Sequence, residues 1–183
     1  SLVDLSTGSN VASGVSPDEE MRMEAPKNDW AEQDPAMWWE NLKEATFRIF
    51  RNSEFNPFDV KAIGISYQMH GLVPIDSQQK VLRPSIIWCD SRAVETGNEA
   101  FKEIGEEKCL KHLLNSPGNF TASKLGWVKE HEPEIFSQIS KILLPGDYIA
   151  MRMTGETTTT PSGLLEGIFW DFKKKKKADF LLD

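Results

Sequence analysis

The pentapeptide Tyr67-Gln68-Met69-His70-Gly71 sets an amide, a thioether and an imidazole beside a glycine. Gln68 and His70 can each donate and accept hydrogen bonds, which suits the hydroxyl groups of a small ligand such as a sugar. Met69 can form an apolar wall, and Gly71 lets the main chain turn without a side-chain clash. The plainer reading is a strand-end loop whose histidine satisfies a backbone carbonyl, and the residues by themselves favour it. A second stretch, Ile86-Ile87-Trp88-Cys89-Asp90-Ser91-Arg92, runs from apolar residues to an aromatic, a carboxylate and a cation. Trp88 can pack on the C–H face of a sugar while Asp90 accepts its hydroxyl hydrogens, with the cation Arg92 beside them, a mixed lining expected of a small-ligand site. Asp90 or Ser91 reads also as a helix cap, with Arg92 as the salt partner of Asp90, and taken alone this stretch favours the cap.

Other reactive side chains carry less. His112 and His131 have no histidine or cysteine at metal spacing, so both read as surface or helix-end residues. Trp30, Trp38, Trp39, Trp127 and Trp170 read as core and interface packing. Cys89 and Cys109 have nineteen residues between them and form no C-x-x-C pair, which excludes a disulfide framework and a zinc knuckle and fits a reducing cytoplasm. Neither a G-x-x-x-x-G-K-[ST] loop nor a G-x-G-x-x-G fingerprint is present, so no self-contained nucleotide cradle is written here.

The elements that must position these residues follow from pattern. Leu2 to Leu5 and Val11 to Val15 read as a hairpin around the turn Ser6–Asn10. Eight acidic residues between Ser16 and Glu40, against Arg22 and Lys27, predict an exposed acidic loop broken by Pro17 and Pro26. Asp34-Pro35 opens a helix to about Arg51, whose Trp38, Leu42, Ala45 and Ile49 share one face and are expected to pack on a sheet. Val60 to Ser66 is rich in β-branched residues and reads as a strand ending at the first motif, where ligands gather in open α/β sheets. Leu72 to Ile75, the polar turn Asp76–Lys80 and the return Val81 to Trp88 form a hairpin excursion. Helices are expected from about Arg92 to Ile104, Glu106 to Leu114, Thr121 to Glu130 and at Pro133, then a strand from Ile139 to Leu144 and a helical turn after Pro145. Thr157 to Thr160 reads as loop or edge strand, and the run Lys173 to Lys177 as a solvated loop or helix face.

Composition narrows the classes. A chain of 183 residues that is 39% apolar has length for one good core, and the length prior favours one domain. A net charge of −7 gives the wrong field for an unaided nucleic-acid or acidic-membrane binder. No apolar run reaches bilayer-spanning length and no secretory leader is written at Ser1, so the expectation is a soluble cytoplasmic protein. The opening Ser1-Leu2-Val3-Asp4-Leu5, strand-like and without an initiator methionine, reads as the start of a truncated piece.

Taken in order, the motifs resemble the xylulokinases of the FGGY carbohydrate kinase family. The resemblance rests on Gly64 to Gly71, Val81 to Pro84 and Ile87 to Arg92, on Thr121 to Leu125 and Trp127 to Lys129, on His131 to Phe136, Leu144 to Tyr148 and Met153 to Glu156, and on Trp30. It implies an α/β, ribonuclease-H-like (actin-like ATPase) domain with a mixed sheet flanked by helices, and two domains facing a cleft. Residues 1–183 would make most of the amino-terminal, sugar-binding domain. The first strand, with its Mg-ATP carboxylate and glycine-rich turn, would precede Ser1; the aspartate base and the ATP-binding domain would follow Asp183. On this resemblance Met69 and His70 match the sugar-contacting pair, Gln68 adjoins it, and Trp88, Asp90 and Arg92 match positions near the pocket. No catalytic residue or metal ligand is assigned to this chain, and it is expected to be inactive alone. The implied reaction of the intact protein is phosphorylation of D-xylulose by ATP and Mg2+ to D-xylulose 5-phosphate. Glycerol, gluconate, ribulose, or a non-catalytic sugar-binding role stand as alternatives, an actin-like chaperone fits only the architecture, and a homodimer is left open. Two departures bear on the pocket: Tyr67 stands where relatives often carry a small residue, and Cys89 where a polar residue is common. The lysine run is also unusual against the family.

Overall fold

The computed structural model describes residues 1–51 and 54–182. The chain divides into two compact units, one made of Ser1–Arg22 with Ala36–Ile65, the other of Met23–Pro35 with Ser66–Asp183.

In the first unit, β1 (Leu2–Val3) and β2 (Asn10–Ala12) form the expected antiparallel hairpin, pairing Leu2 with Ala12. Its turn is held by Asp4, whose Oδ1 accepts the Ser6 and Thr7 N–H groups at 2.8 and 2.9 Å. These bonds, that from the Ser6 hydroxyl first, hold the Asp4 carboxyl below its ordinary value. Helix α1 (Pro35–Arg51) opens on proline, which lacks only a donor the first turn would leave unpaired anyway. Its apolar face has Ile49 buried and Trp38, Leu42 and Ala45 half-buried. That face does not lie on a sheet: a Cβ on Gly14 would sit 2.2 Å from the Ala45 carbonyl oxygen and 3.0 Å from Ile49 Cγ1, so the irregular segment after β2 packs directly on the helix. A 3-10 turn, Pro57–Asp59, follows, with Asn56 Oδ1 accepting from Phe58 N–H.

The stretch Val60 to Ser66 is not a strand. Its β-branched residues are exposed, Ile63 at 66%, and among the described residues nothing pairs with it. Strand preference reflects packing on a pleated, half-buried surface, and a ladder needs a neighbour. Without that neighbour the same residues remain unpaired. The mixed sheet expected from the resemblance is likewise absent among the described residues, where the strands make four two-stranded antiparallel sheets.

In the second unit, β3 (Glu32–Gln33) lies in the stretch read as acidic loop, and Ala31 and Glu32 are buried. Strand β4 (Val73–Ile75) is buried throughout, and β5 (Ser85–Ile86) pairs antiparallel with β3. Bridges from Leu72 to Ile86 and Ile75 to Val81 close the expected hairpin excursion around the Asp76 turn. Four helices come next: α2 (Val94–Ile104), α3 (Glu106–His112), α4 (Thr121–His131) and the short α5 (Pro133–Phe136). Strand β6 (Lys141–Leu143) then pairs antiparallel with β4, and the turn expected after Pro145 is a full helix, α6 (Pro145–Thr154). Helix α7 (Pro161–Glu166), started by a Thr160 side chain that accepts from Gly163 N–H, has no counterpart in the sequence pattern. The lysine run forms the turn and return of a hairpin, β7 (Trp170–Asp171) with β8 (Lys176–Lys177), before α8 (Asp179–Leu182).

Among the described residues, two apolar clusters lie in this unit. Leu72, Ile86, Ala93, Trp127 and Val128 form one, joined by Trp30, whose ring meets Trp127 edge-on at 5.2 Å. Cys109, Leu113, Ile168 and Ala178 form the other. Among the described residues no helix is long and apolar enough to cross a membrane.

Helix α2 crosses the chain at Gly118 with no room for a side chain: a Cβ on Gly97 would fall 1.8 Å from the Gly118 carbonyl oxygen. Gly97→Ala is therefore expected to destabilise the chain by about 1–3 kcal/mol despite the higher helix propensity of alanine, as in overpacked cores. Urea unfolding checks this; an unchanged or higher midpoint would refute the close approach.

Candidate functional site

The loop Tyr67 to Gly71 is shaped by groups distant in sequence. His70 sits at φ 60, a region that side-chain-bearing residues enter only when their surroundings fix them. Both of its main-chain groups are fixed. Its N–H donates to Glu166 Oε1 at 3.0 Å, and its carbonyl accepts from Lys124 Nζ at 2.9 Å. The imidazole Nδ1 lies 3.0 Å from the Glu166 carbonyl oxygen, and the ring meets Phe120 edge-on at 4.4 Å. Burial, reinforced by the nearby Lys124 charge, holds His70 below its ordinary 6.5, so the ring is neutral at pH 7. Gly71 follows because a Cβ there would lie 2.5 Å from Pro145 Cγ.

Gln68 ties the two sequence motifs together. Its amide nitrogen donates to Gln33 Oε1 at 3.2 Å and its oxygen accepts from Trp88 N–H at 3.4 Å. Met69 and Trp88 are each 56% exposed, so a thioether and an indole face solvent while Gln68 is half-buried. The apolar wall and the aromatic platform read from the sequence are thus both accessible.

Asp90 and Arg92 are placed differently. Asp90 is fully buried and its Oδ2 accepts from Ala31 N–H at 2.6 Å, while Arg92 donates to it through Nε at 3.0 and 2.9 Å and through Nη2 at 2.6 Å. The Asp90 carbonyl accepts from Asn119. Helix α2 begins at Val94, and the residue before it, Ala93, makes no side-chain cap; the Asp90 side chain instead closes the turn by accepting from Arg92 N–H at 2.9 Å. Arg92 Nη1 lies 2.7 Å from Glu32 Oε1 as a charge contact lacking hydrogen-bond alignment, and its guanidinium stacks 3.7 Å from the Trp30 ring and 5.0 Å from the Trp127 ring. Arg83 joins the same cluster, bonded to Glu32 and 3.1 Å from Glu132. These charges are occupied by one another, and Gln68, Met69, His70 and Trp88 are the members of the two motifs set around the loop itself.

Lys124 is the residue the motifs missed. It is fully buried, and besides His70 it donates to the Ile87 carbonyl at 3.0 Å, so one ammonium joins main-chain carbonyls of both motif segments. Burial pushes its pKa down to about 8, against the opposing pull of Asp90. Thr121 to Leu125 is part of the family resemblance, but nothing in its spacing assigns Lys124 a partner. Glu166, at the end of a helix without a sequence signal, could not be found that way at all.

The remaining polar groups lie apart. His112 Nδ1 contacts both oxygens of the buried Asp171 at 2.9 and 3.0 Å, and His131 stacks on Trp127 at 4.5 Å. Among the described residues no group of three or more His, Cys, Asp or Glu is placed to hold a metal ion.

With this geometry in view, comparison with known proteins defines the class. Residues 8–182 match the family model of the FGGY family of carbohydrate kinases, N-terminal domain, and the chain belongs to that family. It is 40% identical over 164 residues to the xylulose kinase of Escherichia coli (strain K12), an alignment covering 90% of this chain and 33% of that protein. Two crystal structures are similar: a xyloylose kinase from Brucella ovis, at TM-score 0.82 and 31% identity over 93% of this chain and 34% of that one, and the xylulose kinase from Rhodospirillum rubrum, at 0.77 and 30% over 90% and 34%. The chain spans about a third of the length of the relatives it matches.

The position of Lys124 yields a pH signature. Its folded pKa of about 8 lies below the ordinary 10.5. Between those values the unfolded chain binds more protons, so this residue's contribution to stability rises with pH through that window. Relative to Lys124→Met, the parent chain should gain stability between pH 8 and 10.5, by about 3 kcal/mol at most. Urea unfolding of both across this range checks it; a difference that stays flat or falls would contradict the buried ammonium.

Proposed function

We propose that the protein carrying this chain transfers the γ-phosphoryl of ATP to a hydroxyl of D-xylulose, and that the loop Gln68 to His70 with Trp88 contacts the sugar. The observation that carries this is the loop itself. His70 is neutral and, among the described residues, its Nε2 has no hydrogen-bond partner, beside an exposed thioether and an exposed indole. An acceptor nitrogen meets a sugar hydroxyl, Met69 and Trp88 meet its C–H faces, and Gln68 holds the two segments at a fixed distance. Membership of a carbohydrate kinase family and the likeness to xylulose kinases support the reading. Asp90 and Arg92 act from behind the loop, by fixing the segment that carries Trp88.

Phosphoryl transfer is achieved mainly by positioning and charge neutralisation. The part assigned to these residues is binding and orienting the acceptor sugar. ATP and Mg2+ supply the phosphoryl group and its charge neutralisation in a kinase, and no step through them is assigned to a residue of this chain. The domain reading follows: the chain is a sugar-binding, amino-terminal part of an actin-like kinase of the cytoplasm, inactive without the groups that hold Mg-ATP. Glycerol, gluconate or ribulose as the acceptor would leave the role of the loop intact, and an ADP-release panel over these compounds separates them from D-xylulose.

In the intact protein, His70→Ala is expected to raise the sugar KM at least about tenfold, the loss of one well-placed hydrogen bond, with a smaller effect on the KM for ATP. Steady-state kinetics with each substrate varied checks it; unchanged saturation by sugar would overturn the role of His70.

A further inference from the structure

The contacts that shape the candidate loop converge on Glu166, the last residue of α7, ninety-six positions beyond His70. Its two carboxylate oxygens are used separately, Oε1 by the His70 N–H at 3.0 Å and Oε2 by the Tyr67 hydroxyl at 2.9 Å. Its carbonyl oxygen takes the third contact, from His70 Nδ1. We propose that Glu166, together with Tyr67, is a positioning clamp that locks His70 in its Nδ1–H tautomer and so presents Nε2 to the ligand as a hydrogen-bond acceptor. The proposal rests on the reading of this loop as a sugar contact.

A carbonyl oxygen can only accept, so the nitrogen 3.0 Å from it carries the proton. A neutral imidazole has one such proton, which leaves Nε2 with a lone pair. Because burial disfavours the imidazolium, this tautomer is the working form at neutral pH. A hydroxyl meeting Nε2 must then donate. The opposite tautomer would present a donor and select different ligand groups.

Tyr67 makes the clamp particular to this chain. Its phenol is driven well above the ordinary 10 by burial first and by Glu166 second, so it remains a donor to the carboxylate throughout the neutral range. Its ring lies where a side chain at residue 146 would be: a Cβ on Gly146 would sit 2.2 Å from Tyr67 Cδ1 and Cε1. Tyr67, Gly146 and Glu166 therefore form one device, and the tyrosine that departs from the family pattern has its partner in Glu166. Glu166 is a positioning residue, acting through His70.

Imidazole nitrogen NMR of the chain tests this directly, with His112 and His131 as internal controls for folding. In the parent chain His70 should show a single Nδ1–H tautomer. Glu166→Ala keeps the main-chain carbonyl but releases the His70 N–H and the Tyr67 hydroxyl, so the loop should drift from that carbonyl, giving a His70 tautomer mixture without moving the other two histidines and weakening D-xylulose binding roughly tenfold or more, the scale of losing a charge-assisted hydrogen bond. Tyr67→Phe, which removes one bond only, should fall between. A parent His70 in the Nε2–H form, or a Glu166→Ala chain that keeps the parent tautomer, overturns the clamp. A tautomer that unlocks as expected in a chain that binds no D-xylulose supports the clamp and removes the sugar reading instead.

Discussion

Asp90 and Arg92 form a buried ion pair in the second unit, and their burial constrains what surrounds them. Arg92 is bonded to Asp90, held against Glu32 and sandwiched beside Trp30 and Trp127, while Asp90 reaches the main chain of Ala31. One cluster thereby joins β3, the segment after β5, and α4. Removing one member would strand its partner as an unpaired buried charge, a loss of about 3–5 kcal/mol in comparable sites. Replacing the whole cluster with apolar residues of similar volume would cost far less, so its value lies in fixing geometry more than in raw stability. The aromatic faces matter here too, since they give Arg92 favourable contacts where water is excluded.

Lys124 passes this constraint to the candidate site. It lies in the field of Asp90 and Arg92 and donates to the carbonyls of His70 and Ile87. The loop bearing His70 and the segment leading to Trp88 are thus held by a common donor on α4. Glu166 grips the same loop through its N–H, its imidazole and its tyrosine. A left-handed His70 is sustained because both of its main-chain groups are fixed, and the exposed face of the loop is left with an acceptor nitrogen and two apolar surfaces.

Much of this arrangement was legible in the sequence where the signal was local. The 3.6-residue period and Asp34-Pro35 located α1, and the turn chemistry around Asp76 located the hairpin. The two motifs were found as motifs, and the plain reading of His70 as satisfying a backbone carbonyl proves compatible with a site: one nitrogen does that, which leaves the other available. What sequence could not show was pairing across distance. Val60 to Ser66 has strand composition but no neighbour to pair with among the described residues, and composition is silent on neighbours. Glu32 looked like one acid among many in an exposed stretch and is buried against Arg83 and Arg92. The residues alone favoured a cap and salt pair at Asp90 and Arg92 over a ligand contact, and three-dimensional burial adds Glu32, Arg83 and Trp30 to that pair.

On the proposed function, the chain binds a sugar at the loop formed by Gln68, Met69 and His70 beside Trp88. Binding there is read by titrating D-xylulose into the isotopically labelled chain and following its backbone amide signals. Saturable shifts are expected, concentrated at residues 67–71 and 87–89, with smaller movements at Lys124 and Glu166. Shifts confined to the apolar cavity of about 220 Å³ lined by Leu125, Ile142, Leu164 and Phe169, or no shifts at saturating sugar, would contradict it.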